Sequence, residues 1–237
     1  YKSSATYITN KMKQDTFYLD RIVSSFVPKQ NRAIMEAIEN KVWEIGPDGQ
    51  TASNLNNING APHRFVAQGS GNVISVNDFA LARYALQKAA VPMTNLVAIV
   101  DPSVEYQLNT LTNLTNLSYN PKWEGIVTTG VSTGTRFLVN IYGFDVYVSN
   151  FLKTNMTETI SSQSCTNGVG NLFFSATSDI LPFVGQVRQA PKVDSEYNKD
   201  MQREEYVTTA RYGFALYRPE NLVTVISEGG TIAPSYA

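Results

Sequence analysis

Gly130-Val-Ser132-Thr-Gly134 has the G-x-S-x-G spacing of a nucleophile elbow. In that device a serine on a sharp strand-to-helix turn attacks an acyl carbon, and a histidine later in the chain takes its proton. Here the sequel "TRFLVNIYGFDVYV" is β-branched and aromatic and predicts a strand, and the single histidine, His63, comes before the serine. A small-residue turn between two strands accounts for the glycines better. A serine hydrolase using Ser132 is therefore kept only as a remote alternative. Paired carboxylates are the next candidates for acid-base work. Glu204 and Glu205 are adjacent, so on a strand they point to opposite faces. Asp194, Glu196 and Asp200 sit among Lys192, Lys199 and Arg203, which reads as a solvated loop or a salt-bridging surface. His63 lies in a polar stretch with no identifiable partner and is read as a surface residue. Cys165 is the only cysteine, so an intrachain disulfide is excluded and the usual zinc and haem spacings are absent. No phosphate loop or dinucleotide fingerprint occurs. The expected catalytic, cofactor and metal residues are none, and the protein is read as no enzyme.

The totals point the same way. The chain has 237 residues, 43% hydrophobic and 11% aromatic, which is the composition of a globular protein. Lys and Arg number 19 against 20 Asp and Glu, for a net charge of −1. Tight, sequence-independent binding of nucleic acid calls for a basic excess that is missing here. No apolar run reaches the ~18 to 20 residues of a membrane helix. The opening "YKSSATYITNKMKQD" has no signal-peptide core. Because the chain starts at Tyr1 and not at Met, an upstream segment is expected to have been cleaved or left out. The glycosylation-type triplets at Asn113, Asn116 and Asn155 are about what chance gives in so Asn-rich a chain.

The elements that would position any site follow from periodicity. Leu19, Ile22, Val23 and Phe26 form one apolar stripe, and Ile34, Ile38, Val42 and Ile45 continue it, so residues 16–46 read as helix. Pro28 either kinks that helix or starts a second one, and Gly46-Pro47 ends it. Residues 46–72 are rich in Gly and Asn and read as a long loop. Ser75 and Asp78 form a capping box that opens the helix "FALARYALQKAA". Leu96–Val100 is a buried strand, and Asp101-Pro102 supplies the N-cap and first-turn proline of the helix "SVEYQLNTL". Strands follow: Thr135–Asn150 broken at Gly143, Leu172–Ala176, and two long strands in the stretch from Phe183 to Tyr217. Between those two lies a charged segment from Lys192 to Glu205. In the last strand Tyr206, Thr208, Ala210, Tyr212, Phe214 and Leu216 share the more apolar face.

Four stretches, taken in order, resemble the major capsid proteins of tailed bacteriophages, the Hong Kong 97 fold. They are "ALARYALQKAAVPMTNLVAIVDPSVEYQLNTL", "NIYGFDVYVSNFL", "NLFFSATSDILPFV" and "EEYVTTARYGFALYRPENLVTVI". Together they cover Ala80 to Ile226, and the 16–46 helix fits as the spine helix. The resemblance implies an α+β subunit with a spine helix, a peripheral domain with long antiparallel strands, and a mixed α/β axial domain. Residues 1–15 would be an extended arm or the end of a hairpin loop over a neighbour. Residues 16–48 and 183–217 would form the peripheral domain, and 49–182 with 218–237 the axial domain. It implies a major capsid protein that self-assembles, as hexamers and pentamers, into the icosahedral shell around the double-stranded DNA of a tailed phage. Assembly would take place in the host cytoplasm, with no membrane, and the chain would reside in the virion. Portal, scaffolding and decoration proteins would be further partners, and the packaged DNA would be contacted weakly and without sequence preference. Lys192, Asp194, Glu196, Lys199, Asp200 and Arg203, at the tip of the peripheral domain, are expected to make contacts between capsomers. An encapsulin-type nanocompartment shell, which shares the fold, stays open as the alternative, and a tail or other structural virion protein as a further one.

Overall fold

The computed structural model describes residues 2–15, 19–50, 56–110 and 137–229. The chain divides into two compact units: Tyr1–Val42 with Val184–Ala215, and Trp43–Phe183 with Leu216–Ala237.

The first unit is a three-stranded sheet with a helix. Its elements are β1 (Lys2–Thr9), α1 (Asn10–Asp15), most of α2 (Leu19–Gly49), β10 (Phe183–Asn198) and β11 (Arg203–Leu216), with strand order β1-β11-β10. β1 runs antiparallel to β11 in continuous register from Lys2↔Ala210 to Thr9↔Arg203. Ile8, Thr208 and Ala210 are buried, together with Ile34 and Gln30 of α2. The Gln30 amide joins the layers: its Nε2 donates to Thr6 Oγ1, and its Oε1 accepts from Thr208 Oγ1 at 3.1 Å. A buried amide needs such partners, because leaving it unpaired costs about 1–3 kcal/mol.

α2 decides between the two alternatives at Pro28 and departs from the sequence reading twice. It runs as one helix through Pro28, so the proline does not start a second one. It also continues past Gly46-Pro47 to Gly49. Gly46 is a close-approach glycine here and no terminator: a Cβ at this position would lie 3.1 Å from Leu172, 3.2 Å from Leu222 and 3.4 Å from Phe183. Finally, Phe26, placed on the buried stripe by its spacing, is 45% exposed.

The second unit is built on a seven-stranded sheet of order β4-β12-β9-β5-β7-β6, with β8 paired to β9. The strands are β4 (Arg64–Val66), β5 (Leu96–Val100), β6 (Phe137–Ile141), β7 (Phe144–Val148), β8 (Met156–Ile160), β9 (Gln163–Ser175) and β12 (Leu222–Glu228). β5 is parallel to β7 and β12 to β4; the β9 pairings with β5 and β12 are antiparallel. The period of two along each strand splits the core into two layers. On one face Ala98, Val100, Phe144, Val146, Phe173, Val223 and Val225 pack with α3 (Val76–Lys88) and α4 (Pro102–Thr110). On the other, Ile99, Leu172, Phe174 and Leu222 meet Trp43, Phe183 and Leu216. Rings lock the first layer: Phe173 stands edge-on to Phe79 at 5.1 Å and to Phe144 at 5.4 Å.

Both helix starts follow the sequence. Ser75 N donates to Asp78 Oδ2 at 2.7 Å and the capping box closes. Asp101 Oδ2 accepts from Ser103 N at 2.9 Å at the start of α4. The expected 46–72 loop is corrected. It holds the end of α2, a β2 (Asn57–Ile58) to β3 (Ala61–Pro62) pair, and β4. β4 is invisible to periodicity because it is three residues long and its partner β12 lies far along the chain.

Candidate functional site

The residues that could do chemistry are scattered. The Gly130–Gly134 motif with Ser132 lies outside the described residues, as do Asn113 and Asn116. Among the described residues no cluster of three His, Cys, Asp or Glu could hold a metal ion. No described helix is long and apolar enough to cross a membrane. Cys165 is buried, which pushes its thiol up, with Glu228 adding to the shift. A thiol held protonated is a poor nucleophile. Glu204 pairs with Lys13 and Glu205 with Arg203, and each partner holds its carboxyl below the usual range. Each acid thus has its own cation, with no shared proton.

His63 is fully buried, correcting the surface reading. The polar stretch that contains it folds into the β2–β3 pair and β4, with His63 N donating to Asn56 O and His63 O accepting from Thr224 N of β12. Its Nδ1 lies 3.0 Å from Ala61 O, so that nitrogen carries the proton in the neutral ring, and among the described residues Nε2 has no hydrogen-bond partner. Burial pulls the imidazole below its usual 6.5; the carbonyls of Ala61 and Glu220 and the Glu220 carboxylate oppose this only in part. The folded pKa lies below the unfolded one, so the unfolded chain binds the extra proton first. The second unit is therefore expected to lose stability as pH falls through about 6.5, by up to about 1.4 kcal/mol per pH unit. Urea unfolding at pH 8, 6 and 5 checks this, and His63→Gln should flatten the profile. An unchanged slope in that variant would assign the acid sensitivity to other groups.

The six charged residues read as a contact segment occupy the β10–β11 end of the first unit. β10 extends to Asn198 and β11 starts at Arg203, so the turn is confined to residues 199–202. Lys192, Asp194 and Glu196 therefore lie on a strand, where the sequence reading left a solvated loop or a salt-bridging surface open. Lys192 Nζ is 2.7 Å from Asp194 Oδ1. Arg203 is held from two sides, by Glu205 at 2.6 Å and by the Tyr7 ring at 4.8 Å. Glu196, Lys199 and Asp200 are exposed, and among the described residues none of them forms an ion pair.

Among the buried polar groups that the sequence reading missed, three tie elements of the second unit together. Asn221 Oδ1 accepts from Ser175 N at 2.9 Å, while its Nδ2 donates to Ser175 O at 2.9 Å and Ile180 O at 2.6 Å. The asparagine side chain thus stands in for a strand partner at the end of β9. Asn171 links β9 to Asp101 N, Val225 O and Ser227 Oγ. Arg64 is 1% exposed, and its guanidinium grips Glu158 by two nitrogens while Nη1 donates to Pro47 O at 2.7 Å. That last bond satisfies one of the carbonyls that the end of α2 leaves without a helical partner. Each of the three is a fastener between elements; none is an exposed reactive group.

The sequence matches the family model described as phage capsid protein over residues 3–225. The chain belongs to the phage capsid protein family. It is a major capsid protein, a structural component of an icosahedral bacteriophage shell. Its fold is of the Hong Kong 97 type. The capsid structure of Cyanophage P-SCSP1u is similar with a TM-score of 0.69 at 14% identity, over 97% of this chain and 72% of that one. The capsid of Ralstonia phage GP4 gives 0.61 at 11% identity, over 99% and 75%. The holo-SrpI encapsulin complex of Synechococcus elongatus PCC 7942 gives 0.59 at 11% identity, over 100% and 76%. No curated protein sequence matched. For a capsid protein, the informative surface is the one that meets other copies.

Proposed function

We propose that this capsid protein closes, as hexamers and pentamers of itself, into the shell around the double-stranded DNA genome of a tailed phage. The observation that carries the reading is a family match running through both compact units, from residue 3 to 225. Residues 16–48 and 183–217 would serve as the peripheral domain, 49–182 and 218–237 as the axial domain, and 1–15, where β1 pairs with β11 of the same chain, as the end of a hairpin loop. Assembly would take place in the host cytoplasm, with portal, scaffolding and decoration proteins as further partners. The chain would have no catalytic role, and a near-zero net charge suits an inner wall that confines DNA without clamping it. Lys192, Asp194, Glu196, Lys199, Asp200 and Arg203 would contact a neighbouring capsomer. Exposed pairs are worth only ~0–1 kcal/mol each, but they recur at every symmetry-related interface of a shell. Reversing Glu196 and Asp200 together to Lys should lower the yield of closed particles severalfold and leave the subunit's melting temperature unchanged; an unaltered yield would remove these residues from the contact.

The second reading, an encapsulin-type compartment, is supported by the likeness to the encapsulin structure over the whole chain. Nuclease treatment of purified particles, followed by extraction, separates the two readings. Protected genome-length double-stranded DNA supports the phage shell, and a DNA-free particle around an enzyme cargo supports the encapsulin.

A further inference from the structure

On the first unit, Gln186 and Arg188 of β10 and Arg211, Tyr212 and Gly213 of β11 line an open cavity of about 380 Å³. Both arginines are exposed, and among the described residues neither has an ion-pair partner. Lys13, Lys192 and Arg203 of the same unit, by contrast, pair within the chain. Gly213 is the second anomaly. It sits inside a 14-residue strand, where glycine weakens the strand by leaving nothing to pack. It has no left-handed φ to require it, and a Cβ built there would meet nothing within 4 Å. Nothing described in the chain's own fold explains the glycine. Such a residue in a strand marks a place where another backbone comes close. Alternation puts Arg211 and Gly213 on the same face, so the bare backbone and a free guanidinium open on one space.

Charge indicates what enters it. The first unit carries twelve Lys and Arg against nine Asp and Glu, while the second carries seven against eleven. Copies of a chain so divided attract through unlike units. A guanidinium binds a carboxylate bidentately and is weakly hydrated, so it suits an ion pair formed at an interface.

We propose that the cavity between Arg188, Arg211 and Gly213 receives an acidic segment from the second unit of a neighbouring copy, whose carboxylate bridges the two arginines while its backbone passes over Gly213. This rests on the capsid reading and names one of its contacts.

Two variants leave the subunit's own packing alone, because the space at Gly213 is open and Arg211 has no ion-pair partner to lose among the described residues. Gly213→Val and Arg211→Glu should each keep the wild-type melting temperature and cut the yield of closed particles at least tenfold. Wild-type yield in both variants overturns the proposal. The carboxylate is identified with particles of the double variant Arg188→Lys and Arg211→Lys, assembled from equal amounts of ¹⁵N-labelled and unlabelled subunits and treated with a carbodiimide. Mass spectrometry should find one of the two introduced lysines coupled to an Asp or Glu of a differently labelled copy, within Trp43–Phe183 or Leu216–Ala237. Coupling only within one copy overturns the proposal, as does intact particle yield with loss of packaged DNA in Arg211→Glu, which would turn the arginines toward the genome. Wild-type protein that never forms particles fails at an earlier step and overturns the capsid reading itself.

Discussion

Phe173→Ala is expected to destabilise the second unit by about 3–5 kcal/mol. Phe173 is fully buried near the C-terminal end of β9, opposite Val223 on one side and Ala98 on the other. Truncation removes its edge-on contacts to Phe79 and Phe144 and leaves a cavity in the layer beneath α3 and α4. Each lost ring pair adds about 0.5–1.5 kcal/mol to the burial term. With a total stability of ~5–15 kcal/mol, the variant should melt about 10 °C lower and yield few particles. Phe173→Leu keeps most of the volume and loses chiefly the two ring pairs, so it should cost less, about 1–3 kcal/mol. Phe26→Ala, at a half-exposed ring, should stay within about 0.5 kcal/mol. Thermal melts of the three variants rank them. If Phe173→Ala proved as stable as Phe173→Leu, the layer would have collapsed into the gap.

The second large effect is expected at Arg64 and Glu158, and it is asymmetric. Arg64 is the buried partner, with its side chain 1% exposed against 30% for Glu158. Glu158→Gln keeps the shape but strands a cation with no counter-charge, which is expected to cost about 3 kcal/mol. Arg64→Met removes the buried charge itself. Glu158 can then turn to solvent, and the remaining loss is the donor to Pro47 O, about 1–2 kcal/mol. Arg64→Met combined with Glu158→Leu should recover most of the Glu158→Gln deficit, since a buried ion pair can be replaced by apolar packing. Urea titration of the three proteins measures the order. Equal losses in the two single variants would show that the pair is solvated after all. The reverse order would place the burden on the α2 carbonyl.

Arg64 also shows why part of the fold was legible in the sequence and part was not. Local chemistry was readable: the Ser75–Asp78 box, the Asp101-Pro102 start of α4, and the apolar run of β5 each carry their signal within a few residues. The break at Gly143 between β6 and β7 was readable for the same reason. Where the deciding partner is remote, the sequence misled. Gly46-Pro47 looks like a helix stop until Arg64 caps the Pro47 carbonyl and Leu172, Leu222 and Phe183 crowd the glycine. His63 looks like a surface residue until β4 pairs with β12 around it. β9 was read only as Leu172–Ala176 because glycines and asparagines between Cys165 and Asn171 break its alternation. Its full length comes from pairing with β12, β5 and β8. The contact residues were chosen from charge alternation, and strand geometry now divides them. Arg203 is engaged within its own chain, and Glu196, Lys199 and Asp200 have no ion-pair partner among the described residues. No local pattern could have singled out Arg188, Arg211 and Gly213. What distinguishes them is that they line one cavity, and that can only be seen once the unit is folded.

The central claim is self-assembly into a closed shell, and electron microscopy of the purified full-length protein tests it most directly. The account predicts icosahedral particles of uniform diameter, sedimenting as one large species. Subunits that stay monomeric across protein concentration, ionic strength and pH, or that form only tubes or open rings, would contradict it.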